Sequence, residues 1–207
     1  MLPVETIGVF FVASLALALA PGPDNLFVLA QSALHGKKAS LLVTLGLCTG
    51  LFAHTSAVAL GVAVIFQTSQ FAFTALKLAG AAYLLYLAYG AFKAGASSSG
   101  KTLESSSPRE LYLRGVIMNV TNPKVALFFL AFLPQFTDPN LGSVTGQIVF
   151  LGGLFLLATL LVFGSIAWFA GGLSERFMGS ARAQALLNKL AATVFGVLAL
   201  RLLLIDR

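Results

Sequence analysis

The sequence is short of charge. Asp, Glu, Lys and Arg make up 10% of its 207 residues, against about 25% in an ordinary soluble domain, so the chain cannot clothe a water-facing surface with polar groups. That excludes a soluble globular fold. Thiol and imidazole are nearly as scarce: one cysteine, Cys48, and two histidines, His35 and His54. A single cysteine inside an apolar run allows neither an intrachain disulfide nor a thiolate metal cluster. No nucleophile with a base, helical His-Glu pair or paired carboxylates stands in the sequence, which removes the residue sets that an intramembrane enzyme or a metal site requires. The chain therefore reads as a non-enzyme that takes no metal and no cofactor. Acidic residues are the rarer sign, 7 against 13 basic ones for a net charge of +6. The basic residues are scattered through short loops and form no patch, so nucleic acid is not an expected partner.

Apolar residues are what the chain has, at 58% of the total. A spanning helix needs roughly 20 mostly apolar residues. About six such runs occur, near 4–34, 39–66, 71–92, 111–133, 145–172 and 186–205. These predict an all-α integral membrane protein of about six transmembrane helices, with the lipid bilayer as its solvent. The first run is too long for one span and is interrupted by Pro21, Gly22 and Pro23, so it is expected to be a broken helix or a re-entrant one. Ala18, Leu19 and Ala20 imitate a signal-peptidase site. However, residues 1–5 carry no Lys or Arg, and Pro21 would directly follow the cut, so the segment is expected to be retained.

Basic residues set the orientation. One set of loops collects Lys37, Lys38, Lys93, Lys101, Arg109, Arg114, Arg176, Arg182 and Lys189, whereas the loops at 67–70 and 134–144 have none and only Arg201 and Arg207 lie near the C-terminus. The first set is assigned to the cytoplasm and the C-terminus to the outside; the N-terminus is outside if the first run spans and inside if it re-enters. Tyr89, Tyr112 and Trp168 fall near the inferred cytoplasmic boundary, where amphipathic rings anchor.

The stretch 93–110, rich in Ser and Gly and containing Pro108, divides the chain into residues 1–92 and 111–207. Three spans per half would invert the second half relative to the first. Each half opens with a proline-centred break, Pro21-Gly22-Pro23 in one and Asn122-Pro123 in the other. Paired breaks in inverted halves point to the central site of a transporter.

Three charged residues lie inside apolar runs: Asp24, Lys77 and Lys124. Each costs roughly 2.5–3.5 kcal/mol on insertion scales and so needs a reason. Lys77 sits about a helical turn from the start of its helix and is expected to snorkel. Asp24 and Lys124 follow the two breaks, and pseudo-symmetry would bring them to one midplane cavity, with Asn25 and Asn122 beside them. Unwound backbone there can bind the ammonium and carboxylate of a zwitterion; the alternatives are a buried salt bridge or snorkelling by Lys124. His54, one turn past Gly50, is either a hydrogen-bonded core residue or a proton relay.

Small residues at Gly46, Gly50, Ala53, Ala57 and Gly61, and at Gly164, Ala167 and Gly171, mark close helix packing and offer small faces for a homo-oligomer. Two textual matches are refused. Residues 95–102 fit a phosphate-binding loop but lack the strand that such a loop follows. Asn119-Val120-Thr121 fits a glycosylation acceptor but lies within an apolar span.

The pair "PGPDN" at 21–25 and "NPKVALFFLAFLPQF" at 122–136 resembles the LysE/RhtB family of bacterial amino-acid exporters. The resemblance covers essentially the whole chain. It implies a multi-pass protein of the bacterial inner membrane, a secondary transporter that exports amino acids or close derivatives, homoserine-, threonine- or leucine-like, by proton antiport. It points to Pro21, Gly22, Pro23 and Asp24 in the first motif and to Asn122, Pro123 and Lys124 in the second. A membrane scaffold or assembly subunit is the alternative, and it leaves Asp24 and Lys124 unexplained.

Overall fold

Two prolines within three residues remove two backbone donors, and the first apolar run accordingly comes apart into two helices. In the computed structural model, which describes residues 2–20, 22–68, 70–93, 107–169 and 180–204, these are α1 (Val4–Leu19) and α2 (Pro23–Thr68). Pro23 occupies the first helical position, where its missing N–H is no loss. Helix α2 is itself two arms. At Gly36 the backbone turns to φ 79°, ψ 172°, a left-handed conformation that glycine adopts without penalty. Beyond it Ser40 Oγ donates to the Val28 carbonyl at 2.8 Å. Twelve residues of straight helix would separate these groups by roughly 18 Å, so arms 23–35 and 37–68 double back on each other.

The second half repeats the theme. Helix α3 (Gln70–Lys93) precedes the linker, most of which lies outside the described residues. Helix α4 (Pro108–Val120) opens with a capping box: Ser107 Oγ accepts from the Glu110 N–H, and Glu110 returns the bond to the Ser107 N–H at 3.0 Å. After Thr121 and Asn122 the chain bends by 47° into α5 (Pro123–Leu127), a π turn (Phe128–Phe132) and a 3-10 turn (Leu133–Phe136). Then come α6 (Val144–Phe169) and α7 (Ala181–Leu204). On length and apolarity alone, two described helices, the stretch Pro23–Gly61 and α6, suffice to cross a membrane, or three with the bent pair counted as one span. Helix α1 falls short by itself because the break divides the run.

The first run does not turn back. Leu2, Pro3 and Thr6 line a cavity with Phe136, Asp138 and Leu141, whereas Ser32 Oγ bonds the Ala167 carbonyl at 3.0 Å and the Lys37 ammonium stands 4.4 Å from the Trp168 ring centroid. Helix α6 joins those two ends over roughly 39 Å. Residues 4–34 therefore run the length of the bundle as a broken rod, and the re-entrant alternative is set aside. The end with Lys37 also gathers Arg114, whose guanidinium lies 5.6 Å from the Phe27 ring, and Lys93 over Tyr89. Arm 37–68 lies in α2, which packs on α4 and α6; α1 packs on α6 and α7, and α3 packs on α7 and the π turn.

The outer surface is apolar. Phe71 is 83% exposed, and Leu60, Phe52 and Trp168 are exposed with it, a surface suited to hydrocarbon rather than water. Inside, Phe10, Phe128, Phe129, Phe132, Phe136 and Phe155 form a continuous set of ring contacts.

The small-residue seam is shorter than its sequence spacing suggests. A Cβ on Gly46 would overlap the Tyr112 carbonyl, one on Gly115 would overlap the Val43 carbonyl, and one on Gly50 would meet the Asn119 side chain at 2.7 Å. Past Gly50 the seam ends: Ala53 and Ala57 are exposed and Gly61 faces open space, because the partner helix bends away at Asn122. On α6 it is Gly152, against Thr55, that makes the close contact, while Gly164 meets nothing and Gly171 lies outside the described residues, as do Pro21, Lys101 and Arg176. The side chains of Lys77 and Arg201 are likewise outside the description.

Gly46→Val and Gly115→Val should therefore wedge arm 37–68 away from α4 and lower stability by about 1–3 kcal/mol. Thermal unfolding in detergent reads this, with Gly153→Ala, which has open space at its Cβ, expected to behave as the parent.

Candidate functional site

A helix that stops inside a bundle leaves carbonyl groups with no partner in its last turn. At the C-terminus of α1 these are met from the other half of the chain. Lys124 Nζ donates to the carbonyls of Leu17 and Ala20, both at 3.0 Å. A cation at the negative end of a helix dipole is also electrostatically favoured there. Gly22 makes the approach possible, since a Cβ on it would stand 3.2 Å from that ammonium. Asn25 Nδ2 takes the third carbonyl, of Ala18, at 2.7 Å.

The second break is built in the same way. Asn122 caps α5, its Oδ1 accepting from the Lys124 N–H at 2.9 Å, while its Nδ2 donates to Asp24 Oδ2 at 2.8 Å. One side chain thus ties the two breaks together. The carbonyl of Asn119, freed where α4 ends, accepts from the Asn122 N–H at 3.0 Å and faces His54 Nε2 at 3.1 Å. A carbonyl can only accept, so Nε2 carries the proton. His54 is buried, with its ring 5.6 Å from Phe129. Each half therefore supplies a side chain that closes the broken helix of the other: Lys124 closes α1, and His54 closes α4.

The structure brings Asp24, Asn25, Asn122 and Lys124 together at the two breaks. What it changes is their pairing. Asp24 and Lys124 each bond neutral groups, Asp24 the Asn122 amide and Lys124 two carbonyls, and among the described residues they form no direct ion pair. Pro23 and Pro123 sit exposed at the starts of their helices and shape the backbone rather than line the site. Asn119 was legible only as a refused glycosylation motif. Its value lies in its position three residues before the break, within an apolar run, and it is 3% exposed.

Hydrogen-bond accounting shows what the arrangement can bind. Asp24 Oδ1, Asn25 Oδ1 and Asn119 Oδ1 are buried and have no partner. The amide of Asn25 cannot be reversed, because its nitrogen already meets a carbonyl. A buried unsatisfied group costs about 1–3 kcal/mol. Asn119 Oδ1 packs against Gly50, whereas Asp24 Oδ1 and Asn25 Oδ1 lie at the breaks, and a group that completes those two acceptors has to donate. Lys124 keeps one of its three N–H donors beyond the two it uses. No group of three or more metal-ligating side chains gathers among the described residues. A cavity of about 160 Å³ lies at one end of the bundle, near Asp138, and none of the break residues lines it.

Residues 15–205 match the LysE type translocator family. The chain is similar to the homoserine/homoserine lactone efflux protein of Salmonella typhimurium, 31% identical over 187 residues that make up 90% of each chain. It is also similar to an uncharacterized membrane protein of Bacillus subtilis, YrhP, 29% identical over 194 residues, 87% of this chain and 91% of the relative. No solved structure matches.

Lys124→Met keeps the stem and removes the ammonium from two carbonyls, which should lower stability by about 1.5–3 kcal/mol. Asn122→Ala removes both the α5 cap and the link to Asp24 and should cost about 1–2 kcal/mol. Unfolding midpoints of the purified variants check both.

Proposed function

The chain belongs to the LysE type translocator family, and from that premise we propose that it is a secondary transporter of the bacterial inner membrane that exports small amino acids or close derivatives in exchange for protons. The observation that carries this reading is the bond from Asn122 to Asp24, which joins two broken helices around a set of buried acceptors. A proline break in the first helix of each half is the feature that supports an inverted-repeat architecture, in which such a site lies at the midplane.

The cargo follows from the chemistry of the relatives and of the site. Homoserine and its lactone, named for the Salmonella relative, share an α-ammonium group, but only homoserine has a free carboxylate. The group common to both is a donor of N–H bonds, and the breaks present acceptors. Asp24 Oδ1 and Asn25 Oδ1 receive the ammonium. The remaining N–H of Lys124 takes the carboxylate when there is one. A proton and an ammonium cannot both occupy the same oxygen of Asp24, so loading one releases the other. That exclusion is what couples export to proton entry. The small-residue faces left outward at Ala53 and Ala57 are available to a second copy of the chain.

Counterflow in proteoliposomes tests the assignment. The protein should exchange radiolabelled homoserine and homoserine lactone. Asp24→Asn should abolish proton-coupled exchange of both, whereas Lys124→Met should weaken homoserine by about tenfold or more, ~1.4 kcal/mol, and the lactone much less. Proton-coupled efflux that survives Asp24→Asn overturns the coupling role. No exchange with any amino acid or derivative favours a scaffold.

A further inference from the structure

The cavity near Asp138 is outside the site just described. It is lined by Thr6 of α1, by Phe132, Gln135 and Phe136, by Thr137 and Asp138 of the following turn, and otherwise by apolar side chains. Its volume, about 160 Å³, is close to the roughly 150 Å³ that suffices for a benzene-sized guest. Among the described residues, Asp138 is the only charged one in its wall.

Three observations mark this cavity as built for a ligand. First, the Asp138 backbone is held at two points by Gln147: its N–H donates to Gln147 Oε1 and its carbonyl accepts from Gln147 Nε2, both at 2.8 Å. Asp138 Oδ1 also takes the Asn140 N–H at 2.8 Å, so the carboxylate is fixed in advance. Second, Gln135 has both polar atoms of its amide shielded from solvent with no hydrogen-bond partner. An amide left unsatisfied at a cavity wall is costly unless something there completes it. Third, one wall of the cavity is aromatic. Phe132 and Phe136 meet edge to face with centroids 4.7 Å apart, Phe132 meets Phe128 at 4.7 Å, and Phe129 reaches the His54 ring at 5.6 Å. This aromatic layer stands between the cavity and the residues of the second break. It includes the π turn, a helical irregularity frequent at functional sites.

We propose that this cavity is a second binding site for a small molecule carrying an α-ammonium group, with Asp138 holding the ammonium and the Gln135 amide turning onto the ligand's hydroxyl, carboxylate or ring oxygen. It rests on the transport reading in one respect only: the ligand is taken to be the same cargo, on the far side of the phenylalanine layer from Asp24. The cavity lies at the end of the bundle away from Lys37, Arg114 and Trp168, where cargo leaving by that route would emerge.

The test uses full-length protein with Cys48→Ala and Leu141→Cys, which places a thiol at the cavity wall. Maleimide labelling of that thiol is followed with L-homoserine or its lactone as the probe, alongside counterflow in proteoliposomes. Homoserine and the lactone should both slow labelling, and the slowing should persist when Asp24→Asn is added. Asp138→Asn keeps an acceptor for the Asn140 N–H but removes the charge, and it should raise the concentration needed for protection about tenfold. Gln135→Leu, of similar volume, should do so more for homoserine than for the lactone. Two results overturn the proposal: labelling unaffected by either probe while counterflow is active, or protection that Asp138→Asn and Gln135→Leu both leave unchanged. Protection without counterflow supports the site and overturns the transport reading instead.

Discussion

The Lys124 ammonium on the last carbonyls of α1 is the contact on which the site depends. In water a helix can end anywhere, because solvent satisfies its terminal carbonyls. In hydrocarbon it cannot, and a break in mid-bundle survives only if side chains stand in for water. Here the substitutes come from the opposite half of the sequence: Lys124 reaches Leu17 and Ala20 across more than a hundred residues of chain, and His54 reaches Asn119 across 65. Each half closes part of its own break, Asn25 at Ala18 and the Asn122 N–H at Asn119, and draws the rest from the other half.

That dependence explains which features could be read from the sequence. Pro21-Gly22-Pro23 and Asn122-Pro123 announce the breaks, since proline's effect on the backbone is local. Asp24 and Lys124 announce themselves because charge in an apolar run is expensive wherever it points. The pairing of those charges was not legible. It depends on Gly22 leaving room for an ammonium and on Asn122 lying close enough to Asp24 to intercept its carboxylate, and both are facts about two distant segments. The small-residue seam holds at Gly46 and Gly50 and stops short for a related reason. Spacing shows which residues share a helix face, but Ala53 and Ala57 share that face with Gly46 only until the partner helix bends at Asn122. The reversal at Gly36 falls where the runs near 4–34 and 39–66 part, beside the basic pair Lys37 and Lys38.

The same groups that hold the breaks are those assigned to cargo, and this sharing constrains any mechanism. Lys124 has one N–H beyond its capping duty, so on the proposed reading a carboxylate binds without uncapping α1. Asp24 has one oxygen committed to Asn122 and one without a partner. On the proposed reading, ligand exchange at Asp24 leaves the link between the breaks intact.

An excess of buried acceptors also bears on leakage. With neither proton nor ammonium present, Asp24 Oδ1 would be a bare carboxylate oxygen in a nearly dry site, the most costly state open to it. On the proposed reading the empty carrier is therefore disfavoured relative to either loaded form, and conformational change in the loaded forms is the easier path. A carrier that crosses only when loaded, and can hold one of two competitors at a time, exchanges them without running free. The coupling then needs no separate gate for protons. It follows from a single oxygen whose burial makes it costly to leave unpartnered and whose size admits one partner.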